Sequence, residues 1–114
     1  MNELELRCLK FAKDVRDFCR NLKQDVINRV YIQQVIRSSS SIGANYIEAN
    51  EHLGKQDLLY RIRISRKEAK ETIFRLELLI VEEAEQLNYL KQEVTELRKI
   101  FSAIINKLTA SANA

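Results

Sequence analysis

The plainest chemistry in this 114-residue sequence is electrostatic. Residues 58–81 hold Arg61, Arg63, Arg66, Lys67, Lys70 and Arg75 against only Glu68, Glu71 and Glu77. That window carries +3, as much as the whole chain, while residues 1–57 sum to +1 and residues 82–114 to −1. Arg63, Lys67 and Lys70 stand at i, i+4 and i+7 and share one face of a helix, with Arg66 close by. Such a row can hold phosphates, and several copies side by side multiply the contacts. The plainer alternative is a solvated, salt-bridged surface, with Lys67 and Glu71 as one i, i+4 pair.

Other chemistries find less support. His52 is the one histidine, and no Cys-x-x-Cys pair accompanies it, so no metal ligand set and no cofactor is expected. His52 stands near a helix end, where an imidazole interacts with terminal carbonyls. Ser38–Ser41 lack an adjacent base, and no Gly-rich phosphate loop is present. Glu48, Glu51, Glu68 and Glu71 are read as solvated or ion-paired carboxylates. The expectation is a protein that is not an enzyme. Cys8 and Cys19 are eleven residues apart, about 16 Å along one helix and too far for a mutual disulfide. Both read as reduced core thiols of a cytoplasmic protein. The acidic start Met-Asn-Glu-Leu-Glu is unlike a signal peptide. The longest strong apolar run, Leu78–Val81, is far short of a membrane span, so no membrane partner is expected.

The elements that would carry these residues are helices. A chain with no Pro and two Gly cannot supply the turns of a β-sandwich or barrel, and 46% hydrophobic content at a net charge of +3 argues against disorder. Leu4, Cys8, Phe11, Val15, Phe18 and Leu22 alternate steps of four and three, the seam of a bundle helix. Leu90, Val94, Leu97, Phe101, Ile104 and Leu108 repeat the pattern near the C-terminus. Asp25 is a suitable N-cap, Gly54 marks a middle turn, and Asn88 stops the third helix in a turn at Leu87–Tyr89. The tail Thr109–Ala114 is small and polar and should fray. These signals predict one domain over residues 1–114, with helices near 3–22, 26–53, 57–86 and 90–109. The fold class is all-α: an antiparallel up-down four-helix bundle, oligomeric.

Oligomerisation is inferred from the two central helices, which are apolar over more than a core stripe. On the third, Leu58, Ile62, Ser65, Ala69, Ile73, Leu76 and Ile80 form one stripe, and Tyr60, Ile64, Phe74, Leu78 and Val81 lie opposite. On the second, Tyr31, Val35, Ser38, Ile42 and Ala49 adjoin a stripe of Ile32, Ile36, Ser39, Gly43, Tyr46, Ile47 and Leu53. A helix this apolar needs a further cover, and another copy of the chain supplies one. Ile36, Tyr46, Tyr60, Ile64, Phe74 and Leu78 are the candidate interface between copies. Ser38–Ser41 either break the second helix, restarting it at Asn45 with Glu48 in a capping box, or serve as small residues in a continuous helix. Continuity is favoured, because a break leaves buried carbonyls without partners.

The stretch Gln34-Val35-Ile36-Arg37-Ser38-Ser39-Ser40-Ser41-Ile42-Gly43-Ala44-Asn45-Tyr46-Ile47-Glu48-Ala49 resembles the central signature of a family of four-helix bundle proteins. That family was first recognised as reading frames in intervening sequences of bacterial 23S ribosomal RNA genes. Lys67-Glu68-Ala69-Lys70-Glu71-Thr72, continued by Phe74 and Leu76–Leu79, resembles the helix-three signature of one branch. Many members have Glu-Gly where this chain has Glu48-Ala49. The resemblance implies a homopentameric ring around a central channel. It also implies kinship with the accessory variability protein of diversity-generating retroelements, a basic pentamer that associates with a reverse transcriptase and nucleic acid. Two functions follow as expectations. One is a non-enzymatic oligomeric adaptor that binds RNA, DNA or a nucleic-acid-bound partner enzyme through Arg63, Arg66, Lys67 and Lys70. The other is a protein-only scaffold with no nucleic-acid binding.

Overall fold

The computed structural model describes residues 1–113, with side chains as far as residue 110. Four helices follow in order: α1 Glu3–Arg20, α2 Val26–Asn50, α3 Lys55–Leu78 and α4 Ala84–Asn113. No strand occurs among the described residues. Each helix packs on its neighbours in sequence and α4 returns to α1, while the backbones of the diagonal pairs α1–α3 and α2–α4 make no close approach. Short turns reverse the chain each time, so the bundle is up-down and antiparallel, 51 × 23 × 20 Å overall.

Local chemistry sets most of the helix ends. Asn2 and Glu5 form a capping box on α1, the amide of Glu5 donating to Asn2 Oδ1 at 2.8 Å and that of Asn2 to Glu5 Oε1 at 3.1 Å. Asp25 caps α2 as expected, accepting from the Asn28 amide at 2.7 Å. Gly54 opens α3 at φ 132°, a conformation that excludes side chains with a Cβ.

The third turn departs from expectation. Leu87–Tyr89 forms no turn and Asn88 stops no helix; all three lie within α4. The chain turns instead over residues 79–83, and the cause is Asn28 of α2, which is wholly buried. The Ile80 amide donates to Asn28 Oδ1 at 2.9 Å, and Asn28 Nδ2 donates to the carbonyls of Lys23 at 2.9 Å and Ile80 at 3.3 Å. One amide side chain thus satisfies both backbone groups of Ile80 and takes it out of the helical ladder. The apolar run Leu78–Val81 therefore leaves α3 after Leu78. In exchange α4 is longer than expected at both ends. Thr109–Asn113 are helical, and Ala114 lies outside the described residues.

The core is built from the two seams. Phe11, Val15, Leu90, Val94, Leu97 and Phe101 are buried, and α4 then buries Ile105 in the core while Ile104 packs at its edge, partly buried. That shift is the drift of a 3.6-residue helix against a 3.5-residue seam. Helix α2 runs unbroken through Ser38–Ser41, because each hydroxyl turns back to a carbonyl of its own helix. Gly43 serves close approach: a Cβ there would stand 2.9 Å from Cys8 Cβ on α1. Both cysteines are free and buried, and burial pushes Cys8 up to about 12 and Cys19 up to about 11.

Candidate nucleic-acid interface

Helix α3 presents its basic residues on the side away from the core. Arg63, Lys67 and Lys70 are exposed, Arg66 is half-buried, and none of the four is ion-paired among the described residues. Two further arginines of the helix are engaged, Arg61 with Asp57 at 3.6 Å and Arg75 with Glu71 at 3.7 Å. The pair considered between Lys67 and Glu71 is not made, because Glu71 faces Arg37 of α2 at 3.5 Å as well as Arg75. Arg66 departs from the row. It lies on the side of α3 that carries Glu77, which pairs with Lys91 of α4.

Two exposed aromatic rings stand in the same row as the cations. Tyr60 is 60% and Phe74 66% exposed. Positions 60, 63, 67, 70 and 74 step by three and four, so Tyr60, Arg63, Lys67, Lys70 and Phe74 follow one another along one outward stripe. Ile64 and Leu78 flank it, half-buried. Arg63, Lys67 and Lys70 and the α3 part of the candidate oligomer interface therefore occupy one face, and a copy docked on the aromatic rings would cover these three cations.

The other two interface candidates lie elsewhere. Tyr46 is not outward but in the core: it is 9% exposed, its ring centroid is 5.7 Å from that of Phe101, and its hydroxyl accepts from Asn2 Nδ2 at 3.2 Å. The apolar stripes of α2 cover so much of its circumference that the sequence alone does not show which part α4 will bury. Ile36 is exposed on the face of α2 that Gly43 turns to α1, together with Ile47. The six candidates thus do not make one surface.

The stretches that carry the family resemblance face each other across α2 and α3. Thr72 Oγ1 donates to Ser38 Oγ at 2.8 Å, and Ser65 Oγ donates to the Ile42 carbonyl at 2.9 Å. Glu68 is buried with its Oε2 in no hydrogen bond, 3.6 Å from Arg37 Nη1. A family model described as the 23S rRNA-intervening sequence protein matches residues 3–110. The chain belongs to that family. It is also similar to a crystal structure from Bacteroides thetaiotaomicron, described as a protein with unknown function from the S23 ribosomal protein family. The two are 32% identical with a TM-score of 0.81, over 90% of this chain and 97% of the other. No curated protein matches the sequence.

In this intervening-sequence family member the hydroxyls of Ser38–Ser41, Ser65 and Thr72 are hydrogen-bonded within α2 and α3. His52 is exposed and does not reach terminal carbonyls as expected; its Nδ1 accepts from the Gly54 amide at 3.1 Å and tightens the α2–α3 turn. No helix among the described residues is long and apolar enough to cross a membrane.

Proposed function

We propose that the chain is a non-enzymatic, self-associating adaptor that holds nucleic acid by its phosphates along α3. The row of exposed, unpaired Arg63, Lys67 and Lys70 carries this reading, because the neighbouring carboxylates are committed to Arg37, Arg61 and Arg75 instead. Cations without intramolecular partners give up little when a phosphate arrives, and the binding gains from counterion release. The candidate nucleophiles support a non-catalytic role: the thiols are buried with raised pKa values, and the four serine hydroxyls bond to backbone carbonyls.

Self-association is the second half of the proposal, with five copies as the number that the family resemblance implies. The α3 row is then left to nucleic acid, and the copies meet along α1 and α2. Ile36 and Ile47, 40% and 37% exposed, flank Gly43, and Leu9, 38% exposed, follows the Cys8 that Gly43 touches. Ring formation would set several basic rows side by side on one assembly.

The test replaces Arg63, Lys67 and Lys70 together by Gln and measures binding to several nucleic-acid sequences across a salt series. Affinity should fall for every sequence alike, and the slope of log affinity against log salt should flatten by about one unit for each cation–phosphate pair removed. Light scattering should show wild-type and variant as the same oligomer. Wild-type protein without any salt-sensitive binding to RNA or DNA would leave the protein-only scaffold as the function.

A further inference from the structure

Resting on the phosphate-binding role of α3, we infer that the bound nucleic acid is single-stranded, with bases stacked on Tyr60 and Phe74. The two rings bracket the cations: from Tyr60 through Arg63, Lys67 and Lys70 to Phe74 is about 21 Å of helix at 1.5 Å per residue. At about 3.4 Å per stacked nucleotide that is a track of roughly six nucleotides. A strand laid along it meets a π-face at each end and three cations between.

Both rings are placed for this and for little else inside the chain. Neither belongs to the core, yet each is among the most exposed apolar side chains of the helices. Tyr60 has one internal contact of note, the Arg61 guanidinium 6.0 Å from its ring centroid, and Arg61 is itself tethered to Asp57. That contact restrains the ring on one side while most of it stays open. Phe74 is the last member of the row before α3 ends at Leu78.

A duplex can use these rings only by unstacking a base step, which costs stacking energy. While its bases stay stacked on each other, Tyr60 and Phe74 would meet only sugar and phosphate. An unpaired strand can splay a base onto each ring, and stacking of this kind is tolerant of sequence. The row of α3 thus combines the two elements of a single-strand surface, a cationic track and stacking platforms, on one helix.

The experiment compares fluorescence anisotropy of labelled single-stranded RNA, single-stranded DNA and a duplex of the same sequence, at lengths of about 12 nucleotides. Wild-type protein should prefer both single strands to the duplex; the two single-stranded probes distinguish RNA from DNA as the source. Tyr60→Leu with Phe74→Leu keeps apolar bulk and helix propensity but removes both π-faces. It should weaken single-strand binding about tenfold to a hundredfold while leaving duplex binding and the salt slope as in wild type. Replacing the three cations by Gln should weaken all probes alike. If the leucine variant holds single strands as tightly as wild type, or wild type prefers the duplex, the single-strand inference is overturned and phosphate binding stands. A changed oligomer mass for the leucine variant in light scattering would also overturn it, by assigning the rings to a contact between copies. Loss of all salt-sensitive binding in wild type would remove both readings.

Discussion

Along α1 and α4 the fully buried side chains are apolar without exception among the described residues. Helices α2 and α3 instead supply every buried polar side chain: Asn28, Ser38, Ser39, Ser65, Glu68 and Thr72. The same two helices carry most of the exposed apolar ones, from Val26 and Ile27 to Tyr60 and Phe74. The outer pair obeys the binary pattern that buries a stripe and solvates the rest. The central pair breaks it in both directions. Polar groups inside fix how α2 and α3 meet, and apolar groups outside have no role in the isolated bundle. Departures from local consistency of this kind concentrate where a fold carries specificity or function.

The widest way to separate the two regions is to place a charge in each. Phe11→Asp and Leu97→Asp bury an unpaired carboxylate in the common core and should each cost about 4 kcal/mol or more, most of the stability of a domain at the low end of the ordinary range of about 5–15 kcal/mol. Phe74→Asp places the same charge on the outward face of α3 and should change stability by no more than about 0.5 kcal/mol. Urea denaturation followed by circular dichroism measures all three. A Phe74→Asp variant as unstable as Leu97→Asp would mean that the outward ring is covered in the folded protein.

This contrast also explains what can be read from the sequence. The seams of α1 and α4 are legible because one period describes them and one face is buried. The end of α3 is not, since Leu78–Val81 continue an apolar run and the residue that breaks it, Asn28, lies 52 positions away. Tyr46 is misplaced by periodicity because α2 is apolar over two adjoining stripes, and only its packing on α4 decides between them. The basic row is legible from spacing alone. Its coincidence with Tyr60 and Phe74 is present in the same arithmetic, but it is hidden when apolar and cationic residues are sorted onto separate surfaces.

A second, smaller effect tests whether a buried polar residue of the central pair sets the chain's path. Asn28→Leu removes all three side-chain hydrogen bonds to Lys23 and Ile80, leaving their backbone groups without those partners. The expected loss is about 2–4 kcal/mol, from unsatisfied groups and a poorly fitting side chain. Hydrogen exchange should localise the damage: the Ile80 amide, protected in the wild type by Asn28 Oδ1, should exchange at the rate of an open turn. An Ile80 amide that stays protected would show that the third turn is held by something other than Asn28.

The smallest effect concerns the signature seam itself. Thr72 Oγ1 donates to Ser38 Oγ at 2.8 Å and also approaches the Glu68 carbonyl at 2.8 Å, so one hydroxyl links α2 to α3 in the buried seam. Thr72→Val keeps the shape and deletes the hydroxyl. Ser38 retains only its long 3.4 Å bond to the Val35 carbonyl, and the destabilisation should be about 1 kcal/mol. Ser38→Ala deletes the other partner, and a double-mutant cycle isolates the pair. If the two hydroxyls act on each other, the double variant should be destabilised by less than the sum of the two single effects, by about 0.5–1.5 kcal/mol. Strict additivity would show that the Ser38–Thr72 hydrogen bond contributes nothing of its own. The seam would then owe its register to Ser65 and the Arg37 carboxylate pairs. Nucleic-acid binding by each variant should match wild type at equal folded concentration, because neither hydroxyl lies on the outward row of α3.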